Sequence, residues 1–445
     1  MPDHAISSDP AVQAQLDRLN RLSPGRDSLG LERIAALMAA LGNPQDALPP
    51  VFHVAGTNGK GSTCAFLRAA MEAAGLTVHV YTSPHLARFN ERIRVAGKLI
   101  GDSALAPLLS EILDAAEAQG IAASFFEVTT AAALTAFART PADACVIEVG
   151  LGGRLDATNI IPAPAACGIA ALGIDHEAFL LAPEEGVPDL TPPARIGWEK
   201  AGIAKHGVPL LTQIYPPPVA QAVAQQAAQA GAKLLPRKQA WDAAIYDGHL
   251  VYRDEQGSLK LPLPRMAGEH QSDNAALAIA MLRHQSAVRL PDAAYAAAME
   301  WAFWPARMQR LSGGMLTLQL PPVAGVWLDG GHNRQGGEAI AAYFDSAAPR
   351  SIHLITGMLA NKDPGAIIEP LLPKIASITV VPVPGHDHHP ASAFEAAAQG
   401  LPVASAIDVI AAMASLSPKR TDSVLIAGTL YLAGEVLRLN GQEPD

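Results

Sequence analysis

The sequence is poor in cysteine: only Cys64, Cys145 and Cys167 occur in 445 residues. None pairs as CxxC and all sit among small apolar neighbours, so a disulfide scaffold and a thiolate metal site are both excluded. We expect three reduced core thiols. No run of about 18 apolar residues escapes a charge, proline or glycine, which argues against a membrane helix. The first residues lack a basic segment followed by an apolar one, so a cytoplasmic location is expected rather than secretion. Dense basic patches are also missing, and the formal net charge is −10. A nucleic-acid partner is therefore disfavoured. Anionic small substrates are not excluded, because a few local Lys and Arg can reverse the field inside one cleft.

What is present is burial material: 49% hydrophobic against 17% charged residues. The length suits two domains. Short apolar runs alternate with helical stretches: Val51–Ala55, a helix from Gly61 to about Ala74, Thr77–Thr82, Ala144–Val149 and Cys167–Leu172. Continuous apolar strands between helices imply a mostly parallel sheet covered on both faces. A second set follows Trp304-Pro305, with strands expected at 326–328, 352–356, 378–383 and 424–426. Trp241–Leu263 reads as β-hairpin material with Asp-Gly and Gln-Gly turns. The expected fold is α/β: an N-terminal phosphate-loop domain over 1–303 and a smaller, Rossmann-like α/β domain over 304–445.

Val51-Phe52-His53-Val54-Ala55 runs into Gly56-Thr57-Asn58-Gly59-Lys60-Gly61-Ser62. A strand, a glycine turn and a helix start form an anion site, because backbone N–H groups and the helix dipole point into the turn. Lys60 can neutralise β- and γ-phosphate oxygens. Ser62 or Thr63 can bond a phosphate or a metal-bound water. The spacing differs from the usual phosphate-loop pattern, with two residues between Gly56 and Gly59 and with Gly61 between Lys60 and Ser62. Glu148 falls at the carboxyl end of an expected buried strand, where α/β sheets bind ligands. A carboxylate there is costly unless ion-paired, capping a helix, or metal-bound. Asp175-His176 follows another strand; a lone His is more often structural. Lys200 reads at first as a surface helix lysine beside Glu199.

These residues carry a resemblance. VAGTNGKGS is similar to the nucleotide loop of the folate branch of the Mur ligase superfamily, and further matches follow in that family's order. They are Ser28–Arg33 (SLGLER), Tyr81–Leu86 (YTSPHL), Phe125–Thr130 (FFEVTT), Glu148–Asn159 (EVGLGGRLDATN), Glu199–Ile203 (EKAGI), Leu328–Asn333 (LDGGHN) and Gly428–Ala433 (GTLYLA). Departures are Gly331 and Arg334 in the Asp329 motif, Trp304-Pro305-Ala306-Arg307 for Pro-Gly-Arg, and an acidic, proline-rich insertion over 178–193.

The resemblance is to the bifunctional dihydrofolate/folylpolyglutamate synthases. It implies ATP-driven ligation of L-glutamate to dihydropteroate and to folates through an acyl phosphate. The nearest alternative is folate extension alone. It further implies Thr57, Asn58, Gly59, Lys60, Gly61 and Ser62 around the phosphates, and Gln271, Asn274, Arg307, Asp329 and His332 closing over the nucleotide. Lys362-Asp363 is a weaker candidate for the glutamate side. Ser83, Glu148 and His176 would hold magnesium, and Lys200 would carry a CO₂-derived carbamate and coordinate as well. Nitrogen ligation is unusual for so hard a cation, which suggests a second magnesium with mixed ligands. Leu29, Gly30, Leu31, Ser124, Phe126, Leu155, Asp156 and Ala157 would line the pteroate pocket. Lys60, Glu148, His176 and Lys200 form the expected catalytic set, in an enzyme expected to be a monomer. A cell-wall Mur ligase is disfavoured, because its usual uridine-nucleotide domain has no room before Gly56. A regulator without ligase activity is disfavoured by the complete set of four.

Overall fold

The structure is a computed structural model that describes residues 5–22, 29–347 and 351–444. It divides into two compact units. One holds residues up to Pro84, Arg88–Arg265 and Gln271–Phe303; the other holds His85–Ala87, Met266–His270 and the chain from Trp304 onward.

The first unit is built on an eight-stranded sheet: β1 (Val51–Ala55), β2 (Val78–Tyr81), β3 (Ile93–Val95), β4 (Lys98–Leu99), β5 (Ala144–Glu148), β6 (Ala166–Ile169), β7 (Pro209–Thr212) and β8 (Lys233–Pro236). Its order is β4-β3-β2-β5-β1-β6-β7-β8. Six strands are parallel, and β3 and β4 add an antiparallel edge. Strands β1 and β5 are buried at every position, as their unbroken apolar runs require. β1 leaves toward β2 on one side, while β6 leads to β7 on the other, so the chain reverses direction between β1 and β6. Ligands gather at such a switch point, outside the carboxyl ends of the strands. Helices cover both faces. Leu37, Leu109, Leu134 and Phe137 anchor the core on one side, and Ile203, Val223 and Ala227 that on the other.

A small meander is attached: β9 (Trp241–Tyr246), β10 (His249–Asp254) and β11 (Gly257–Pro262). The expected hairpin is thus a three-stranded sheet. Asp247 and Gly248 both take positive φ at the first turn, as a tight two-residue hairpin demands.

The second unit has six strands, β12 (Gln309–Arg310), β13 (Gly325–Leu328), β14 (Ile352–Thr356), β15 (Ile375–Val380), β16 (Val403–Ser405) and β17 (Ser423–Ala427), in the order β12-β13-β17-β14-β15-β16. All are parallel except β12. β15 begins at Ile375, three residues before the expected 378, and ends at Val380 rather than at 383, because Pro382 and Pro384 have no N–H for a ladder. The two α/β sheets carry the expected fold class. Cys64, Cys145 and Cys167 are free and buried. Among the described residues, no helix is long and apolar enough to cross a membrane.

Candidate active site

Because β1, β2, β5 and β6 run parallel, their carboxyl ends share one edge, and the loops that leave them bring distant residues together. After β1 the chain turns at Gly56 (φ 154°) and Gly59 (φ 82°) into the helix Lys60–Ala73. A Cβ at Gly56 would lie 2.9 Å from the Ala170 Cβ, and one at Gly59 would lie 2.3 Å from Asn274 Oδ1. Glycine is therefore required at both. The Lys60 ammonium bends over the loop and donates to Gly56 O at 3.1 Å. The Thr57 and Asn58 N–H groups both donate to Ala171 O. The N–H groups of the first helical turn, from Lys60 to Ser62, have no intrahelical acceptor and face the loop. Thr63 gives its hydroxyl to Gly59 O at 2.9 Å, which leaves Ser62 as the hydroxyl for a ligand.

Glu148 ends β5 with 4% exposure, and its Oε2 accepts the Ser83 N–H at 3.2 Å. The expected pair of Ser83 and Glu148 is thus brought together. Lys200 lies in the helix Pro192–Ala201 and is only 5% exposed, so the surface-lysine reading does not hold. Nor does Glu199 neutralise it at close range. The Glu199 carboxylate is occupied by Arg154 (3.0 and 3.1 Å) and Arg195 (2.8 and 3.0 Å). Burial, then the positive charge of Lys60, brings the Lys200 pKa down to about 7, against the pull of Asp175, Asp156 and Glu199. Asp175, to which sequence reasoning gives no role of its own, therefore belongs to this charge cluster. His176 stands next to it at φ 56°, with its side chain 43% exposed and Nε2 3.9 Å from Asp175 Oδ2. Among the described residues, no three His, Cys, Asp or Glu side chains group as a ready metal site. The expected donor set of one carboxylate, one imidazole, one hydroxyl and a modified lysine fits a cation that keeps waters and takes phosphate oxygens.

The glycine-rich block 148–159 is held by its own polar groups. Asp156 is 2% exposed; its carboxylate accepts from Leu151 N (2.8 Å), Thr158 N (3.0 Å) and the Thr158 hydroxyl. Burial raises its pKa. The Thr158 hydroxyl in turn accepts from buried His53 Nε2 at 2.9 Å. Gly153 packs flat on the Lys200 helix, where an added Cβ would lie only 2.8 Å from Lys200 O. The insertion has a structural role. Glu184 meets both Arg154 (2.5 Å) and Arg195 (3.7 Å), while Val187 and Leu190 pack on Trp198.

Of the expected pteroate residues, Phe126 lies across Gly150, where an added Cβ would be 2.3 Å from the ring, and 6.0 Å from the Tyr81 ring. The Ser124 hydroxyl caps the helix Phe125–Arg139 by accepting from Glu127 N, and Glu127 pairs with Arg33. Leu29 and Gly30 are half-buried, Leu31 and Leu155 likewise, and Ala157 is buried. Ser28, which opens the matched motif, lies outside the described residues.

In the second unit Asp329 follows β13 with 5% exposure. Its carboxylate accepts from Met308 N at 2.8 Å and Gly331 N at 2.7 Å. This ties down the segment that carries Arg307, flanked by Ala306 and Met308 at positive φ. Asp329 is no helix cap: the helix Arg334–Ala347 is capped by Asn333, whose Oδ1 accepts from Gly336 N. His332 Nδ1 contacts Gly330 O at 3.0 Å. Asp363 caps Gly365 N at 2.9 Å, and Lys362 O contacts His389 Nε2 at 2.7 Å.

No family model matches the chain. It is 36% identical over 352 residues to the dihydrofolate synthase/folylpolyglutamate synthase of Escherichia coli, covering 78% of this chain and 76% of that one. A solved structure of the E. coli protein in complex with DHPP and ADP superposes with a TM-score of 0.83, at 31% identity and over 97% of both chains. A bifunctional folylpolyglutamate synthase/dihydrofolate synthase solved with Mn, AMPPNP and L-glutamate bound gives a TM-score of 0.82 at 29% identity, over 97% of this chain and 99% of that one.

Proposed function

The chain belongs to the folylpolyglutamate synthase/dihydrofolate synthase family, and we propose that it ligates L-glutamate first to dihydropteroate and then to reduced folates, at the expense of ATP. The observation that carries this reading is the sheet edge where β1 and β5 lie side by side, with the glycine turn of Lys60 after one and Glu148 at the end of the other, together with the buried Lys200 that feels the Lys60 charge.

The substrate carboxylate attacks the γ-phosphorus of ATP, the bond to ADP breaks, and an acyl phosphate forms. Lys60 stabilises the charge that spreads over the transferred oxygens. The glutamate amine then attacks the acyl carbon, loses a proton, and inorganic phosphate leaves. No protein nucleophile is required. The N–H groups of the first turn of the helix Lys60–Ala73 cradle phosphate oxygens. Ser83, Glu148 and His176 would hold the divalent cation, which supplies electrostatic stabilisation of the phosphate charge when bound. Lys200 would complete this set as a carbamate. Its neutral amine attacks CO₂, a nitrogen–carbon bond forms and a proton leaves, which turns a repelling cation into an anionic oxygen donor. The depressed pKa supports this, because only the neutral amine reacts. The Phe126 face beside Gly150 is the platform for a flat pterin ring. Asn274, whose amide lies against Gly59, is assigned to the nucleotide, and the resemblance assigns Arg307, Asp329 and His332 to it as well.

The test is phosphate release from ATP by the purified protein. It should require both L-glutamate and dihydropteroate, and continue with tetrahydrofolate in place of dihydropteroate. Turnover that ignores both co-substrates would point to a nucleotide-dependent regulator. Turnover with tetrahydrofolate alone would leave only chain extension.

A further inference from the structure

Thr57 stands in the phosphate loop, yet its polar groups face the neighbouring loop. Oγ1 donates to Gly173 O at 2.8 Å and accepts from Gly173 N at 3.0 Å. The Thr57 N–H donates to Ala171 O at 2.8 Å, and Asn58 forms an isolated antiparallel bridge with Ala171. Ala171–Gly173 follows β6 and leads directly to Asp175 and His176. This contact spans 116 residues of sequence and lies where the chain reverses direction between β1 and β6. A hydroxyl suits this pair of bonds, because its single oxygen donates to one partner and accepts from the other. The His176 that this contact leads to sits at positive φ, with an exposed side chain, at the start of a four-residue helix.

We propose that Thr57 is a positioning residue that clasps the Asp175–His176 loop to the phosphate loop, so that the cation at His176 and the nucleotide phosphates keep a fixed register. The inference rests on the assignment of His176 to the cation. With the hydroxyl gone, Gly173 is held less firmly, and more of the ordering of the loop falls to the cation-binding step, at an entropic cost. The loss therefore falls on the cation rather than on the nucleotide.

The experiment compares wild type, Thr57→Val, Thr57→Ser and His176→Ala. Mn²⁺ binding to the ADP complex is read by electron paramagnetic resonance, and ADP binding is read by calorimetry without metal. Thr57→Val should weaken Mn²⁺ binding about tenfold, the scale of one or two net hydrogen bonds, while metal-free ADP affinity holds within about twofold, under half a kcal/mol. Thr57→Ser, which keeps the hydroxyl, should recover most of the loss. Equal losses of metal-free ADP affinity and of Mn²⁺ affinity in Thr57→Val would overturn the proposal in favour of a direct phosphate contact. So would a Thr57→Val variant with wild-type Mn²⁺ binding, provided that His176→Ala loses it. If His176→Ala itself binds Mn²⁺ normally, the cation assignment fails first, and separately. A second measurement needs neither metal nor nucleotide. The Gly173 N–H donates to the Thr57 hydroxyl, so amide exchange at Gly173 and His176 should be faster in Thr57→Val than in wild type, and equal exchange would also sink the clasp.

Discussion

The backbone N–H of Ser83 donates to Oε2 of Glu148 at 3.2 Å, although 65 residues separate them in the chain. The sheet makes this contact. β2 and β5 are parallel neighbours with Tyr81 level with Ile147, so the residues just beyond each strand emerge side by side. A carboxylate offers about four lone-pair sites, so the bond from Ser83 is compatible with a cation on the same group.

Glu148→Gln keeps that acceptor and removes the charge. Turnover should fall by about 100-fold or more, the loss typical of one electrostatic group in a preorganised site. Mn²⁺ affinity should fall with it, while thermal stability is kept or raised, since a buried anion no longer has to be accommodated. Wild-type metal affinity in this variant would remove Glu148 from the cation site.

Lys200 gives a pH signature. Its folded pKa of about 7 lies below the ordinary 10.5, so the native state releases this proton more readily than the unfolded chain. Between those two values the unfolded chain holds more protons, and this group makes stability rise with pH; below about 7 its contribution is flat. Urea unfolding in CO₂-free buffer should show this slope in wild type and not in Lys200→Met. Activity should rise through neutral pH and increase with added bicarbonate, with a carbamate signal from ¹³C-bicarbonate by NMR. An activity indifferent to bicarbonate would exclude the modification.

Lys60→Ala should lose about 100- to 1,000-fold in kcat with an unchanged circular dichroism spectrum. The lysine donates to two part-buried loop carbonyls, so the fold does not depend on it. Near-normal turnover would refute its role on the transferred phosphate.

The two halves of the ion cluster at the insertion should differ in weight. Glu199→Gln leaves two guanidinium groups without their shared buried partner and should cost about 3–5 kcal/mol. Glu184→Gln, at a carboxylate 42% exposed, should cost under ~1 kcal/mol. Denaturant titrations of the two variants measure the difference directly; equal losses would show that the insertion bears more of the fold than its exposure indicates.

Gly150→Ala should push the Phe126 ring from its place, because the new methyl would start 2.3 Å from Cζ. The KM for dihydropteroate should rise about tenfold or more, as for a misfitted apolar pocket, with the KM for ATP little changed. A change confined to ATP would move Phe126 away from the pterin.

Much of this was legible in local patterns. The buried strand, glycine turn and lysine at 51–60 are written consecutively, because an anion site on a helix start is made by adjacent residues. The roles of Thr57 and Lys200 were not legible in the same way. Thr57 looks like another phosphate-loop contact until its hydroxyl is found on Gly173. Lys200 reads from its neighbours as a surface lysine, and only the resemblance gives it another role; the fold adds that it is buried, with Glu199 held by two arginines.

By itself the sequence determined the α/β alternation, the glycine turn at the start of a helix and the family to which the chain belongs, since each is carried by contiguous residues whose backbone preferences and spacing are local. Only the tertiary structure decided how Ser83 meets Glu148, what lowers the Lys200 pKa and what the 178–193 insertion holds. Those outcomes depend on strand order and burial, and both arise when segments far apart in the chain exclude water from one another.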